Sequence, residues 1–119
     1  SRRFSARHFL VGGAWGDENV EHSHGYRMEL ILEATELDPH GFLVDIVEVE
    51  QHMDEVAADL RDSVLNSLDY FQDINPSIEQ LATFIHGVFR KRLDHLSLAA
   101  LTVTIWEDEI AWTSYRAAC

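Results

Sequence analysis

Three histidines near the start of the chain have a spacing that suits metal binding. His22 and His24 are two residues apart, and in a β-strand such residues project from the same face. His8 ends the segment 4–8 (FSARH), so a neighbouring strand could supply a third imidazole. Three histidines with one open position form a ligand set of catalytic zinc. The alternative is a polar turn whose imidazoles are exposed and bind no metal.

Acidic residues precede the histidine pair. Asp17, Glu18 and Glu21 lie in the loop just before His22. Beside a metal ion, one of these carboxylates could act as a general base. A solvated acidic loop explains the same residues equally well, and the path of the loop decides which carboxylate faces the metal.

A further carboxylate falls on an otherwise apolar strand face. Glu107 has the same strand parity as Leu101, Val103 and Ile105. A buried carboxylate without a partner is unfavourable, so it normally has a hydrogen-bond donor beside it. A ligand with adjacent N–H donors, such as an aminopyrimidinone ring, would suit it. The alternative places Glu107 past the strand end, in an acidic turn with Asp108.

Helices and strands must position these residues. Helical periodicity runs from about Glu48 to Asn66, and a second helix begins near Asn75, with Pro76 in its first turn, and ends near Leu93. Strand alternation predicts extended segments at residues 2–14, 26–37, 42–49, 98–107 and 110–116. The predicted order is ββααββ, an α+β domain with an antiparallel four-stranded sheet and two helices on one face. Continuing the sheet between subunits into a barrel would protect its edge strands.

Composition narrows the class of protein. A length of 119 residues, 46% hydrophobic and 25% charged, indicates a single globular domain over residues 1–119. The net charge of -12 argues against nucleic-acid or anionic-membrane partners, which require clustered Lys and Arg. The only cysteine, Cys119, has no intrachain partner, and no apolar run approaches the roughly 20 residues that span a bilayer. We therefore expect a soluble cytoplasmic protein.

Together these motifs resemble the family of 6-pyruvoyl-tetrahydropterin and 6-carboxytetrahydropterin synthases. The family patterns Phe-x-Ala-x-His and His-Gly-His-Asn-Tyr are similar to residues 4–8 and 22–26. Gly-Met-Val-x-Asp-Phe resembles residues 41–46, and Asn-Pro-Thr-x-Glu-x-Leu-Ala resembles residues 75–82. The Val-x-Glu pattern near the family's carboxyl terminus resembles residues 105–107, so the ordered match extends along nearly the whole chain.

The resemblance implies the tunnelling fold, in which ββααββ subunits assemble into barrels, commonly a homohexamer of two trimers. It implies zinc held by His8, His22 and His24, where the metal binds the substrate's side-chain oxygens and acidifies a neighbouring C–H. It also implies that Glu107 anchors the pterin ring and that Ser77 lies in the pocket at the subunit interface.

Three positions depart from the family pattern. For proton transfer the family uses a cysteine before the histidine pair and an Asp-His dipeptide, whereas this chain has Glu18, Arg61 and Asp62 at the matching positions. A family branch with Glu in place of the cysteine cleaves the side chain to hydroxymethyl-dihydropterin, which makes Glu18 the candidate base. Arg61 cannot transfer protons at neutral pH, but it could pair with Glu18 or bind an anionic substrate tail.

These residues give two hypotheses for the function. The first is a zinc-dependent lyase or synthase-like enzyme that acts on dihydroneopterin triphosphate or a related dihydropterin. The second is a non-catalytic pterin- or purine-binding protein that retains the pocket without turnover.

Overall fold

The computed structural model describes residues 1–119 and contains one antiparallel sheet and two long helices. The elements are β1 (Arg2–His8), β2 (His22–Glu33), α1 (Ile46–Leu60), α2 (Ile78–Arg92), β3 (Ala100–Glu107) and β4 (Ala111–Ala118). Neighbouring strands pair in the order β1-β2-β3-β4. The predicted ββααββ order and α+β class are therefore confirmed.

Both helices pack on the same face of the sheet. Alternation along β2 and β3 directs apolar side chains to this face, where they meet the apolar stripes of α1 and α2 in one core. The largest fully buried side chains include Tyr26, Met28, Leu81, Ile85, Phe89, Leu101, Val103 and Ile105. Neither helix has the length and apolar character needed to cross a bilayer.

The predicted strand over residues 42–49 is wrong. The chain turns at Gly41, where φ is +85°, and Asp45 then caps α1 by accepting a hydrogen bond from the Val47 amide. A capped amphipathic helix is therefore the stable local structure here. The partner of β2 is instead β1, and β2 itself begins at His22, four residues before the predicted start.

α1 ends six residues earlier than the periodicity predicts. Arg61 leaves the helical conformation, and Asp62 has a φ of +58°. The chain then follows the outer edge of β1, where the Asp62 amide donates to the carbonyl oxygen of Ser5 and the Arg7 amide donates to that of Ser63. These hydrogen bonds cover part of an edge strand that would otherwise be unpaired.

α2 begins after Ser77 and not at Asn75. The Ser77 hydroxyl oxygen accepts a hydrogen bond from the Gln80 amide at 3.2 Å, which makes Ser77 the cap. The last turn of α2 contains the basic residues 90–92, whose positive charge interacts favourably with the helix dipole at the carboxyl terminus.

Replacing Leu81 by alanine should lower the free energy of unfolding by about 3 kcal/mol. Leu81 lies in α2 and is completely buried, so the substitution leaves a cavity in the core. Leu37, which is 63% exposed, provides the matched control, and Leu37→Ala should change the free energy of unfolding by less than about 0.5 kcal/mol. Urea denaturation measures the free energy of unfolding of both variants. Equal losses would contradict the placement of Leu81 in the core.

Candidate metal centre

The three predicted histidine ligands meet at the ends of two paired strands. His8 lies opposite His22 in the β1–β2 register, and His24 projects from the same face two residues further along β2. The three ring centroids are 4.6 to 4.8 Å apart, and the rings are inclined by 73 to 83°. The Nε2 atoms of His8 and His22 are 3.0 Å apart. The strand register therefore places three imidazoles around one point.

Backbone carbonyls fix the tautomers of two of these rings. His8 Nδ1 lies 3.0 Å from the carbonyl oxygen of Pro76, and His22 Nδ1 lies 2.6 Å from that of Val20. A carbonyl oxygen can only accept, so each ring carries its proton on Nδ1. Both Nε2 atoms therefore present lone pairs to the centre of the cluster.

The carboxylate of Asp108 holds His24 in the same tautomer, with its proton on Nδ1. Asp108 accepts hydrogen bonds from His24 Nδ1 and, at 2.9 Å, from the Gly25 amide. Burial raises the pKa of Asp108, but these hydrogen bonds outweigh it and hold the pKa below its usual value. His24 Nε2 is buried and has no hydrogen-bond partner. Asp108 had no predicted role, because no pattern in the sequence links residues 24 and 108.

Glu18 is the carboxylate that the loop brings to this cluster. Its Oε2 lies 3.0 Å from His22 Nε2 and 3.7 Å from His8 Nε2. Glu21 instead pairs with Arg7 at 3.7 Å, and Asp17 is exposed. Of the three acidic residues considered from the sequence, Glu18 is therefore the one beside the histidines.

Asn19 holds the loop that carries Glu18. Its Nδ2 donates to the carbonyl oxygens of Leu10 and Gly13 at 2.9 and 3.0 Å, and its Oδ1 accepts from the Trp15 amide at 2.7 Å. The Leu10 amide also donates to the Glu18 carbonyl oxygen at 2.7 Å. The Asn19 side chain and this backbone hydrogen bond together set the path of the loop and, with it, the position of the Glu18 carboxylate.

Two further asparagines anchor the chain just after His8. Asn66 exchanges two hydrogen bonds with the backbone of Phe9, and Asn75 does the same with Val11, all at 2.9 to 3.0 Å. Each amide side chain thereby makes the two hydrogen bonds that the backbone of a neighbouring strand would otherwise make. These contacts join the segment that follows His8 to the connection between the two helices.

The donor atoms fit a divalent metal ion. Ligand atoms of His8, Glu18, His22 and His24 all lie within 4.8 Å of one another. Two imidazole lone pairs at 3.0 Å with no proton between them repel each other, and a cation at the centre removes that repulsion. Burial lowers the pKa of His8 despite its hydrogen bond to the Pro76 carbonyl, which favours the neutral form that binds metal. Neutral imidazoles with an adjacent carboxylate suit zinc.

Glu107 lies at the end of β3, beside the histidines. It is opposite Tyr26 in the β2–β3 register, and its Oε1 is 3.8 Å from His24 Nε2. Its side chain is 23% exposed and makes no hydrogen bond within the chain. Burial raises the pKa of this carboxyl group, and His24 offsets part of the shift. The strand parity noted in the sequence therefore places a partly buried acceptor next to the three histidines.

Two other residues singled out from the sequence have different contacts. The Ser77 hydroxyl is occupied as the cap of α2, although its neighbour Pro76 contacts His8. Arg61 forms no ion pair with Glu18 and instead lines a cavity of about 560 Å³ together with Arg3.

This sheet topology is that of the tunnelling fold, and the three histidines with a carboxylate where two strands end form its candidate metal site. The family model of 6-pyruvoyl tetrahydropterin synthase matches residues 1–118, and the chain belongs to this family. The resemblance of the motifs is thereby confirmed, and membership supports a pterin synthase or lyase type of function in general.

Solved structures share the fold. The Caenorhabditis elegans 6-pyruvoyl tetrahydropterin synthase has a TM-score of 0.78 at 22% identity, over 98% of this chain and 91% of that chain. The Plasmodium vivax enzyme has a TM-score of 0.80 at 14% identity, over 98% and 92%. A Plasmodium vivax variant in which a catalytic glutamate is replaced by cysteine has a TM-score of 0.79 at 14% identity, again over 98% and 92%. No curated protein sequence matches the chain significantly.

Proposed function

We propose that this protein is a zinc-dependent enzyme that acts on the side chain of a dihydropterin such as dihydroneopterin triphosphate. The observation that carries the proposal is the meeting of three Nε2 lone pairs with the Glu18 carboxylate. Family membership supplies the class of substrate. The proposal includes a cytoplasmic location for the enzyme.

The residues of the centre would divide the chemistry between them. His8, His22 and His24 would hold zinc, which when bound polarises the substrate's side-chain oxygens and acidifies the neighbouring C–H. Glu18 would take the proton from that carbon, since its carboxylate lies beside the ligands. A catalytic residue of the Plasmodium vivax relative is a glutamate, which supports a carboxylate base in this family.

Glu107 would anchor the pterin ring. Its carboxylate makes no hydrogen bond within the chain and is partly buried next to His24, so it is free to accept two adjacent N–H groups of an aminopyrimidinone. Ser77 would line the same pocket from the subunit interface of a homohexamer of two trimers. The outer edge of β4, which pairs with no other strand of this chain, supports assembly through the sheet.

Zinc content and turnover together test the proposal. We expect about one zinc per chain in the purified protein and an altered pterin after incubation with dihydroneopterin triphosphate. Pterin binding without turnover would instead support a non-catalytic pterin-binding protein, which the replacement of the family's Asp-His dipeptide by Arg61 and Asp62 favours. If the protein binds neither zinc nor pterin, both the enzymatic function and the pterin-binding function are overturned.

Replacing Glu107 by glutamine should weaken pterin affinity by about 100-fold, which corresponds to roughly 3 kcal/mol for a charge-assisted hydrogen-bond pair. The amide can accept one N–H, but it places an NH₂ group against the second. Isothermal titration with a dihydropterin measures the change. Glu109→Gln is the matched control, because Glu109 is exposed and pairs with Arg3. Unchanged affinity in Glu107→Gln would rule out this anchor.

A further inference from the structure

The loop between β3 and β4 has an unusual backbone. Glu107 pairs with Ala111, so the loop comprises three residues. Its first two, Asp108 and Glu109, have φ values of +51° and +62°, in the left-handed region that glycine enters freely and other residues enter rarely. A side chain retained in such a conformation indicates a constraint at that position.

The contacts of Asp108 supply that constraint. Its Oδ2 accepts from His24 Nδ1, its Oδ1 accepts from the Gly25 amide at 2.9 Å, and its own amide donates to the Gly25 carbonyl oxygen at 2.8 Å. Both carboxylate oxygens are therefore held by hydrogen bonds next to His24. The Glu109 side chain, in the same left-handed region, has only Arg3 as a hydrogen-bond partner, and both of these side chains are 65% exposed.

We propose that Asp108 is a positioning residue of the metal centre, whose carboxylate holds His24 in the Nδ1–H tautomer and directs Nε2 at the metal. His8 and His22 obtain the same orientation from backbone carbonyls, so His24 alone depends on a side chain. The family match does not supply this role, which rests on the metal-binding part of the proposed function.

Substitutions at the two left-handed positions separate orientation from backbone strain. Asp108→Asn keeps the size of the side chain but places an NH₂ group against either His24 Nδ1 or the Gly25 amide, because asparagine has only one acceptor oxygen. Asp108→Gly removes the side chain while relaxing the backbone. We expect each to weaken zinc affinity about 10- to 100-fold in competition with a chelator. Glu109→Gly relaxes the neighbouring residue and should leave zinc affinity unchanged. Circular dichroism should show all three variants folded at the temperature of the binding assay, so unfolding cannot produce the difference.

The ring nitrogens of His24 provide a second measurement, made on metal-free protein. Nitrogen-15 NMR should show the Nδ1–H tautomer in the wild type and a loss of that preference in Asp108→Gly, which has no side-chain acceptor. If the wild type binds zinc and both Asp108 variants bind it equally well, the proposal for Asp108 fails and the proposed function stands. If the wild type binds no zinc, the proposed metal centre fails, and the tautomer alone decides: an unchanged tautomer in Asp108→Gly overturns the role of Asp108.

Discussion

Replacing His24 by alanine should reduce zinc affinity by more than about 100-fold, beyond the range typical of losing an outer partner of a metal ligand. His24 Nε2 is buried without a hydrogen-bond partner, and its ring lies 4.6 and 4.8 Å from the other two imidazoles. Removing this ring leaves two nitrogen ligands and opens the centre. Elemental zinc content after dialysis against a chelator measures the loss.

The control for this substitution is another histidine of the same chain. His40 lies in the exposed turn before α1, so His40→Ala should retain the zinc content of the wild type. Full zinc retention in His24→Ala would show that His24 is not a metal ligand. Equal loss in both variants would point to a folding defect, which circular dichroism of the two proteins would reveal.

Replacing Glu18 by glutamine should lower kcat by a factor of roughly 100 to 10,000, the range expected for loss of a general base. The amide has nearly the same shape as the carboxylate but cannot take up a proton. KM for the pterin should change much less, because Glu107 and not Glu18 is the proposed ring anchor. Steady-state kinetics with dihydroneopterin triphosphate measures both constants.

Glu21→Gln is the matched control for this loop. Glu21 pairs with Arg7 on the surface, so we expect turnover close to that of the wild type. Loss of turnover in Glu21→Gln together with normal turnover in Glu18→Gln would mean that the loop follows a different path in the working enzyme.

The histidine cluster could be predicted from the sequence because it depends on a local rule. Residues two apart on a strand share a face, so His22 and His24 must project together wherever that strand lies. The position of Glu18 could not be predicted from such a local rule. It depends on the hydrogen bonds of Asn19 to Leu10, Gly13 and Trp15, and no periodicity encodes such a loop.

The wrong strand at residues 42–49 shows how apolar residues can mislead. Phe42 is 62% exposed and Val47 is 69% exposed, so the alternation there does not mark a buried sheet face. The sequence also contains the competing pattern, since Asp45 is followed three residues later by Glu48, the spacing of a helix cap. This pattern predicts the cap of α1 at Asp45, where the structure has it.

The tautomers of the three imidazoles are fixed by unequal means, and this bears on how the centre can evolve. The carbonyls of Pro76 and Val20 belong to the peptide backbone, so their acceptor oxygens persist whatever side chains replace these two residues. The acceptor for His24 is encoded by a single codon, that of Asp108. Exchange of this one residue, which lies outside the ligand set, should therefore change how firmly the proposed centre retains zinc.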